Sequence, residues 1–336
     1  MPAVSSFVSD VTQDRFIPKV VDNIYSGNVL TMRLSQNPKA WRGGTQIIQP
    51  VYLSPVTTVG SYSGFDSFIT TQETKTQRAA FNPSQVYASV QISGIQAAIN
   101  SGDAAVVDLV ASELNITAEA LRQELGTEVY GDGTGNSGKD ILGLVAAVDD
   151  STNVTTYGGL SRATFTNWRG TLTAQSGSLS IANLAADFDA AQVGNDTPTL
   201  IVTTPAVFTI YEALLTPTVS HQFSMNDFRM TGEGMAKVGG TLAANQGFRA
   251  LTFRGVPVVA DEKATSGNIF TLNENHLTWW NIPQPAGFGR TENRGFGWTG
   301  WKEPVNQDAV TGQLLAYLQL TTDSPRTHAR RTGVTS

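Results

Sequence analysis

The sequence predicts an α+β protein with antiparallel or mixed sheets, on three observations. Short β-branched segments and amphipathic helices intermingle without strict βαβ alternation. One helix is much longer than the globular norm. That helix runs into a glycine-rich turn at residues 130–140, which imitates a phosphate loop without being one.

The helix is marked by Val107, Val110, Leu114, Thr117, Leu121, Leu125 and Val129, which recur every three or four residues as one stripe. Ser101 or Asp103 can cap its N-terminus. About 26 residues rising 1.5 Å each give a rod of roughly 39 Å, a backbone for an elongated subunit.

In the turn, Gly133, Gly138 and Lys139 have the spacing of a Walker A loop. Asp140, however, stands where Ser or Thr would hold Mg²⁺, and its carboxylate would repel phosphates. A phosphate loop also opens a helix, whereas this turn follows a helix C-terminus, the negative end of the dipole. Gly133, Gly135 and Gly138 match a dinucleotide pattern too, but no strand precedes them, and Asp149 and Asp150 come too early for the ribose carboxylate. A calcium loop through Asp132, Thr134, Asn136 and Asp140 would end on Gly143 instead of a bidentate Glu. The glycines are therefore read as positions of positive φ just past a helix end.

Composition narrows the class. The 336 residues suit about two domains, and 40% hydrophobic content supplies real cores. The absence of cysteine excludes disulfides and thiolate chemistry and suits a reducing cytoplasm. No apolar run reaches membrane-spanning length, and residues 1–10 lack the regions of a signal peptide, so a soluble intracellular protein without a membrane partner is expected. A net charge of −6 argues against general affinity for nucleic acid and permits a wall that encloses DNA without adhering to it. The basic stretch at residues 326–331 is expected to be a solvated end.

Residues 1–40 are polar and irregular, interrupted by Pro18 and Pro38, and read as an extended arm. Strands are expected at residues 46–53 and at 86–92, where Val86, Ala88, Val90 and Ile92 alternate with Tyr87, Ser89 and Gln91. The polar stretch between them is too long for a compact domain unless it packs on another molecule. Helices are expected at residues 161–174, at 180–192 with Leu184, Phe188 and Ala191 on one face, and at 206–215. Further strands are expected at 199–203, 256–259 and 269–272, and a final one carries Leu314, Ala316, Leu318 and Leu320. Residues 219–247, which include Gly232, Gly234, Gly239, Gly240 and Gly247, read as a flexible excursion.

Catalytic signals are weak. The histidines, His221, His276 and His328, lie far apart, and no paired-histidine helix or Gly-x-Ser-x-Gly elbow occurs. Asp187 and Asp189, two apart on a helix, are expected to be solvated. Trp279, Trp280, Trp298 and Trp301 read as core or interface anchors, with a sugar-stacking platform as the competing idea. No catalytic, cofactor or metal residue is assigned, and the chain is not read as an enzyme.

Three segments in order carry a family resemblance: the helix end Glu128, Val129, Tyr130, Gly131, Asp132, Gly133, Thr134 and Gly135, followed by Ile141, Leu142, Gly143 and Leu144; residues 198–204; and the stretch from Arg254 to Asp261, followed by residues 267–277. Together they resemble the major capsid protein of tailed bacteriophages, the Hong Kong ninety-seven fold. The resemblance implies an N-terminal arm (1–40), an extended β-hairpin loop (41–92) lying over a neighbouring copy, and a peripheral domain with the spine helix (93–150). It further implies an axial α/β domain (151–284) and a C-terminal return to the peripheral domain (285–336).

The implied function is a structural shell protein of the virion, assembled in the host cytoplasm as hexamers and pentamers into an icosahedral head around double-stranded DNA, with no cofactor. Implied partners are a portal protein and decoration proteins. The chain has no room before its arm for a cleaved scaffolding region, so a separate scaffolding protein is expected. Inter-subunit contact candidates are Trp41, Arg42, Tyr62, Phe65, Phe68, Lys75 and Arg78. Lys75 lies in the loop that some members crosslink, but no partner Asn is identifiable, so crosslinking is not expected. The alternatives are an encapsulin-type compartment, a nucleotide-binding enzyme using residues 133–139, and a carbohydrate-binding module using the Trp cluster.

Overall fold

A computed structural model describes residues 28–54, 56–95, 103–215, 250–283, 291–293 and 295–335, with the side chains of 103–111, 250 and 291–293 outside the description. Most of the expected arm and the glycine-rich excursion lie outside the described residues, as do the helix cap at Ser101 and the Val107 and Val110 side chains.

Helix α1 (Val29–Leu34) leads to β1 (Lys39–Ala40), the strands β2 (Ile47–Tyr52), β3 (Thr76–Phe81) and β4 (Ser84–Ser93), and the spine helix α2 (Asp103–Val129). Short helical turns at Gly135–Gly138 and Leu144–Ala147 precede β5 (Thr156–Tyr157), β6 (Leu160–Ser161) and β7 (Thr171–Gly177). Helix α3 (Ile181–Ala191), β8 (Leu200–Thr203) and α4 (Pro205–Leu215) follow. The strands β9 (Ala250–Phe253), β10 (Val256–Ala260), β11 (Ile269–Leu272), β12 (Leu277–Asn281), β13 (Thr291–Asn293), β14 (Phe296–Trp298), β15 (Ala309–Thr322) and β16 (Ala329–Val334) complete the chain.

Strand β15 is the trunk of the first sheet. It pairs antiparallel with β4 from Ala309 to Leu318, with β12 from Leu318 to Thr322 and with β14 from Leu314 to Ala316. Trp298 of β14 lies over Gly312, where an added Cβ would meet the indole at 2.2 Å, so no larger residue fits beneath it. The spine helix covers β4 and buries Leu114, Thr117, Leu121, Leu125 and Val129 of the stripe legible in the sequence, together with Ala118.

The second sheet runs β7-β16-β11-β8-β10-β9 and is covered on both faces. Neighbouring residues of a strand point to opposite faces, and here each face has its own core. Val202, Val259 and Phe270 join the large core shared with the spine helix and Trp279, whereas Ile201, Val258 and Ile269 pack with Leu184 and Phe188 of α3 and Val207, Phe208 and Tyr211 of α4. Burial on both faces explains why these strands are continuous apolar runs without alternation. Helix α3 begins at Ser180, whose Oγ accepts from the Asn183 N–H at 3.1 Å.

Four expectations are corrected. Residues 161–174 do not form a helix: Gly170 and alternating Thr171 and Thr173 favour extended backbone, and β7 pairs parallel with β16. Strand β15 is not the last, because β16 follows it in the middle of the second sheet. The basic stretch at 326–331 is therefore not a solvated end, since His328, Arg330 and Arg331 are buried. Asp187 is not solvated either: it receives Arg331 Nε at 2.5 Å and Nη2 at 2.7 Å.

Pairing also refines the hairpin. Strand β2 pairs with β3, from Ile47 opposite Phe81 to Tyr52 opposite Thr76, whereas β4, which the sequence placed in the same loop, belongs to the first sheet.

Candidate inter-subunit surface

The β2–β3 hairpin carries a loop whose residues 56–75 turn their apolar side chains to solvent, while Leu53 at its base is buried. Val59 is 80% exposed, Phe68 67% and Ile69 68%, while Tyr62 is similarly open and Phe65 wholly so. Tyr62 and Phe68 stack edge to face at 4.9 Å, a pair that gathers the apolar surface in one place. Local polar bonds brace the loop: the Ser63 N–H donates to Asp66 at 2.7 Å, and the Thr57 N–H donates to Glu73 at 3.0 Å. Such a shape, held in place yet apolar and uncovered, is what an interaction site requires.

The other contact candidates divide. Arg78 is exposed on β3 opposite Pro50, and Lys75 lies 4.0 Å from Glu73, at the limit of an ion pair. Arg42 is exposed. Trp41 is partly buried against its own chain's large core, with its backbone N–H donating to the Asn281 carbonyl at 3.0 Å. Val59 and Ile69 are as exposed as Tyr62 and Phe68 but were not among the candidates named from the sequence, because a loop rich in Thr, Ser and Gly otherwise reads as solvated.

The glycine turn follows the C-terminus of the spine helix. Asp132 caps the turn by accepting from the Thr134 N–H and hydroxyl at 3.0 and 2.7 Å. Asn136 and Ser137 adopt positive φ, so even non-glycine residues take the left-handed conformation. Gly143 presses on the last carbonyls of the spine, where a Cβ would meet the Glu128, Val129 and Gly131 oxygens at 2.4 to 2.6 Å. Tyr130 is buried and donates to Asp261 at 2.9 Å, tying the turn to the second sheet. The tryptophans are mainly core: Trp279 and Trp298 are buried, and Trp301 lies edge-on to Trp298 at 5.3 Å.

A trough of about 1090 Å³ opens beside this turn, floored by β4 and β15 and walled by the spine and the β5–β6 hairpin. Glu128 lines it. Burial pushes this carboxyl up to about 7, against the Ile141 N–H that it accepts at 3.2 Å, with Asp140 and Glu124 adding to the rise. Between pH 4.5 and about 7 the folded chain therefore holds a proton that the unfolded chain has released, and stability falls as pH rises through that window. Glu128→Gln keeps an acceptor for Ile141 and removes the ionisation. It is expected to flatten this slope and to raise stability at pH 8 by on the order of 2 kcal/mol, read from urea midpoints at pH 5 and pH 8.

No protein-family model and no curated protein sequence matches the chain. Solved structures do. The capsid asymmetric unit of cyanophage A-1(L) superposes with a TM-score of 0.68 at 16% identity, covering 93% of this chain and 94% of that one. The capsid of Myoviridae phage XM1 gives 0.51 at 16% identity over 87% and 86%, and that of an empty GTA particle 0.51 at 11% over 92% and 97%. The chain has the α+β fold of tailed-bacteriophage capsid proteins, the Hong Kong ninety-seven fold.

Proposed function

We propose that this chain is the major capsid subunit of a tailed phage, whose activity is self-association into hexamers and pentamers that close around double-stranded DNA. The observation that carries the reading is the apolar tip of the β2–β3 loop, exposed in the isolated chain and explained when it lies on a second copy. The fold supports it, as does a net charge of −6, which suits an enclosing wall. The division into arm, loop, peripheral and axial regions belongs to the same proposal. So do assembly in the host cytoplasm and the partners: a separate scaffolding protein, a portal protein and decoration proteins. The role is structural, spread over many contacts, and assigns no catalytic step.

Electron microscopy and light scattering of the expressed chain, with and without a scaffolding protein, test the reading: rings or closed shells support it, and a monomer under every condition overturns it. The triple change Tyr62→Ser, Phe65→Ser and Phe68→Ser is expected to leave the subunit folded by circular dichroism and to abolish shells, because the three side chains touch little within their own chain. Shells at the wild-type yield would show that the tip is not an assembly contact.

A further inference from the structure

His276 stands between two carboxylates, with Nδ1 2.8 Å from Asp323 and Nε2 3.0 Å from Asp196. An ionised carboxylate only accepts hydrogen bonds, so each ring nitrogen must carry a proton for both bonds to exist, and only the imidazolium does so. The nearby His328 is the opposite case. It is buried, its Nδ1 accepts from the Asn273 N–H at 3.1 Å, and its Nε2 is left to donate to the Thr322 hydroxyl at 3.1 Å. Burial drives it down to about 3, so it stays neutral and takes no part.

The location gives the His276 arrangement its meaning. His276 ends the turn Glu274–His276, by which the chain passes from β11 of the second sheet to β12 of the first. Asp323 lies where the chain passes back, from β15 of the first sheet toward β16 of the second. Asp196 closes the turn after α3, where Val193 and Asp196 exchange backbone hydrogen bonds at 3.0 and 3.1 Å. One imidazole thus holds both crossings between the sheets and a surface turn of the second sheet.

We propose that His276 is a proton-operated latch between the two sheets. With both nitrogens protonated it clips the α3–β8 turn to the inter-sheet crossings, and on losing one proton it points a lone pair at a carboxylate and releases that arm. The arm released is Asp196, because Asp323 is also held through its own N–H, which donates to the His276 carbonyl at 3.3 Å.

The surrounding charges leave the two aspartates in control. Glu274, on the same turn, is occupied by Arg33 of α1 through two bonds of 2.7 Å and by the Thr199 hydroxyl at 3.1 Å. Partial burial works to lower the imidazole's pKa, and the bonds and charges of Asp196 and Asp323 outweigh it, for a net rise above the ordinary 6.5. The sign follows: the latch is closed below the raised pKa, and its contribution to stability is lost as pH rises through that value. The side chain is 24% exposed, so the proton reaches solvent directly.

The latch does not rest on the shell reading. Its test is histidine C2-hydrogen exchange by mass spectrometry on the full chain, with amide exchange at residues 193–197 measured at pH 6 and pH 9 and corrected for intrinsic chemistry. The expected result is a His276 midpoint above 6.5, lowered by Asp196→Asn, with several-fold faster amide exchange at pH 9 than at pH 6. In His276→Gln the amides should exchange at the fast rate at both pH values. A wild-type midpoint at or below 6.5, or wild-type amide exchange indifferent to pH, would overturn the proposal without recourse to any variant.

Discussion

Asp187→Ala is expected to cost about 3–5 kcal/mol, because it strands the Arg331 guanidinium in the interior of the second sheet. Both side chains are about 95% buried, and Arg331 meets Asp187 through two bonds while Nη1 donates to Gln175 at 2.6 Å and Nη2 to the Asn183 carbonyl at 3.0 Å. Those neutral acceptors do not replace the lost charge. The paired change Asp187→Leu with Arg331→Met removes both ions and is expected to recover most of the loss, since a buried ion pair is worth little against a well-packed apolar substitute. Urea midpoints for the two single variants and the double, combined as a mutant cycle, measure the coupling. A single variant within about 1 kcal/mol of wild type would mean that water reaches the pair and screens it.

Arg162→Met is expected to be as damaging for a different reason. Arg162 is fully buried, and among the described residues its hydrogen bonds go to backbone carbonyls and not to a carboxylate. Its donors reach the Trp168, Val154, Ala146 and Ala147 carbonyls at 2.7 to 3.2 Å, and its guanidinium lies 5.0 Å from the centre of the Tyr157 ring. Burial works to strip its proton, while Tyr157, Asp149 and Asp150 favour keeping it. Methionine fills much of the volume but orphans several buried carbonyls, each costing about 1–3 kcal/mol, so a loss of about 4 kcal/mol or more is expected. Lysine keeps the charge but not the planar fork, and is expected to recover less than half of that loss. The soluble folded fraction and the melting temperature check both; an Arg162→Lys variant as stable as wild type would assign the effect to charge alone.

These two arginines also show where sequence reading stops. The spine helix was legible because Leu114, Leu121, Leu125 and Val129 repeat at the helical period, and α3 because Leu184, Phe188 and Ala191 do the same. The exposed loop was legible from its length and polarity, and the tryptophans from their clustering. A buried arginine leaves no periodic trace: Arg162 and Arg331 look like surface residues until the topology surrounds them. The same holds for β7, whose extended form is decided by β16, more than 150 residues away in sequence. Of the surface candidates, Tyr62, Phe65 and Phe68 are exposed in the loop, whereas Trp41 is half-buried against the large core, a difference in burial that an aromatic residue's sequence context does not reveal.

The placement of β16 bears on how the molecule is made. It separates β7 from β11, so the second sheet exists as two unjoined pieces until the strand between them has been synthesised. In that interval β7 and β11 both offer open edges, the feature that draws strands of other chains into wrong pairings. The pairing of β16 with β7 is also among the sheet's longest-range, with loop closure over most of the second half of the chain preceding any gain from that ladder. A subunit built in this way is at its stickiest just before it is complete, and its yield in the cell depends on how quickly β16 finds its slot.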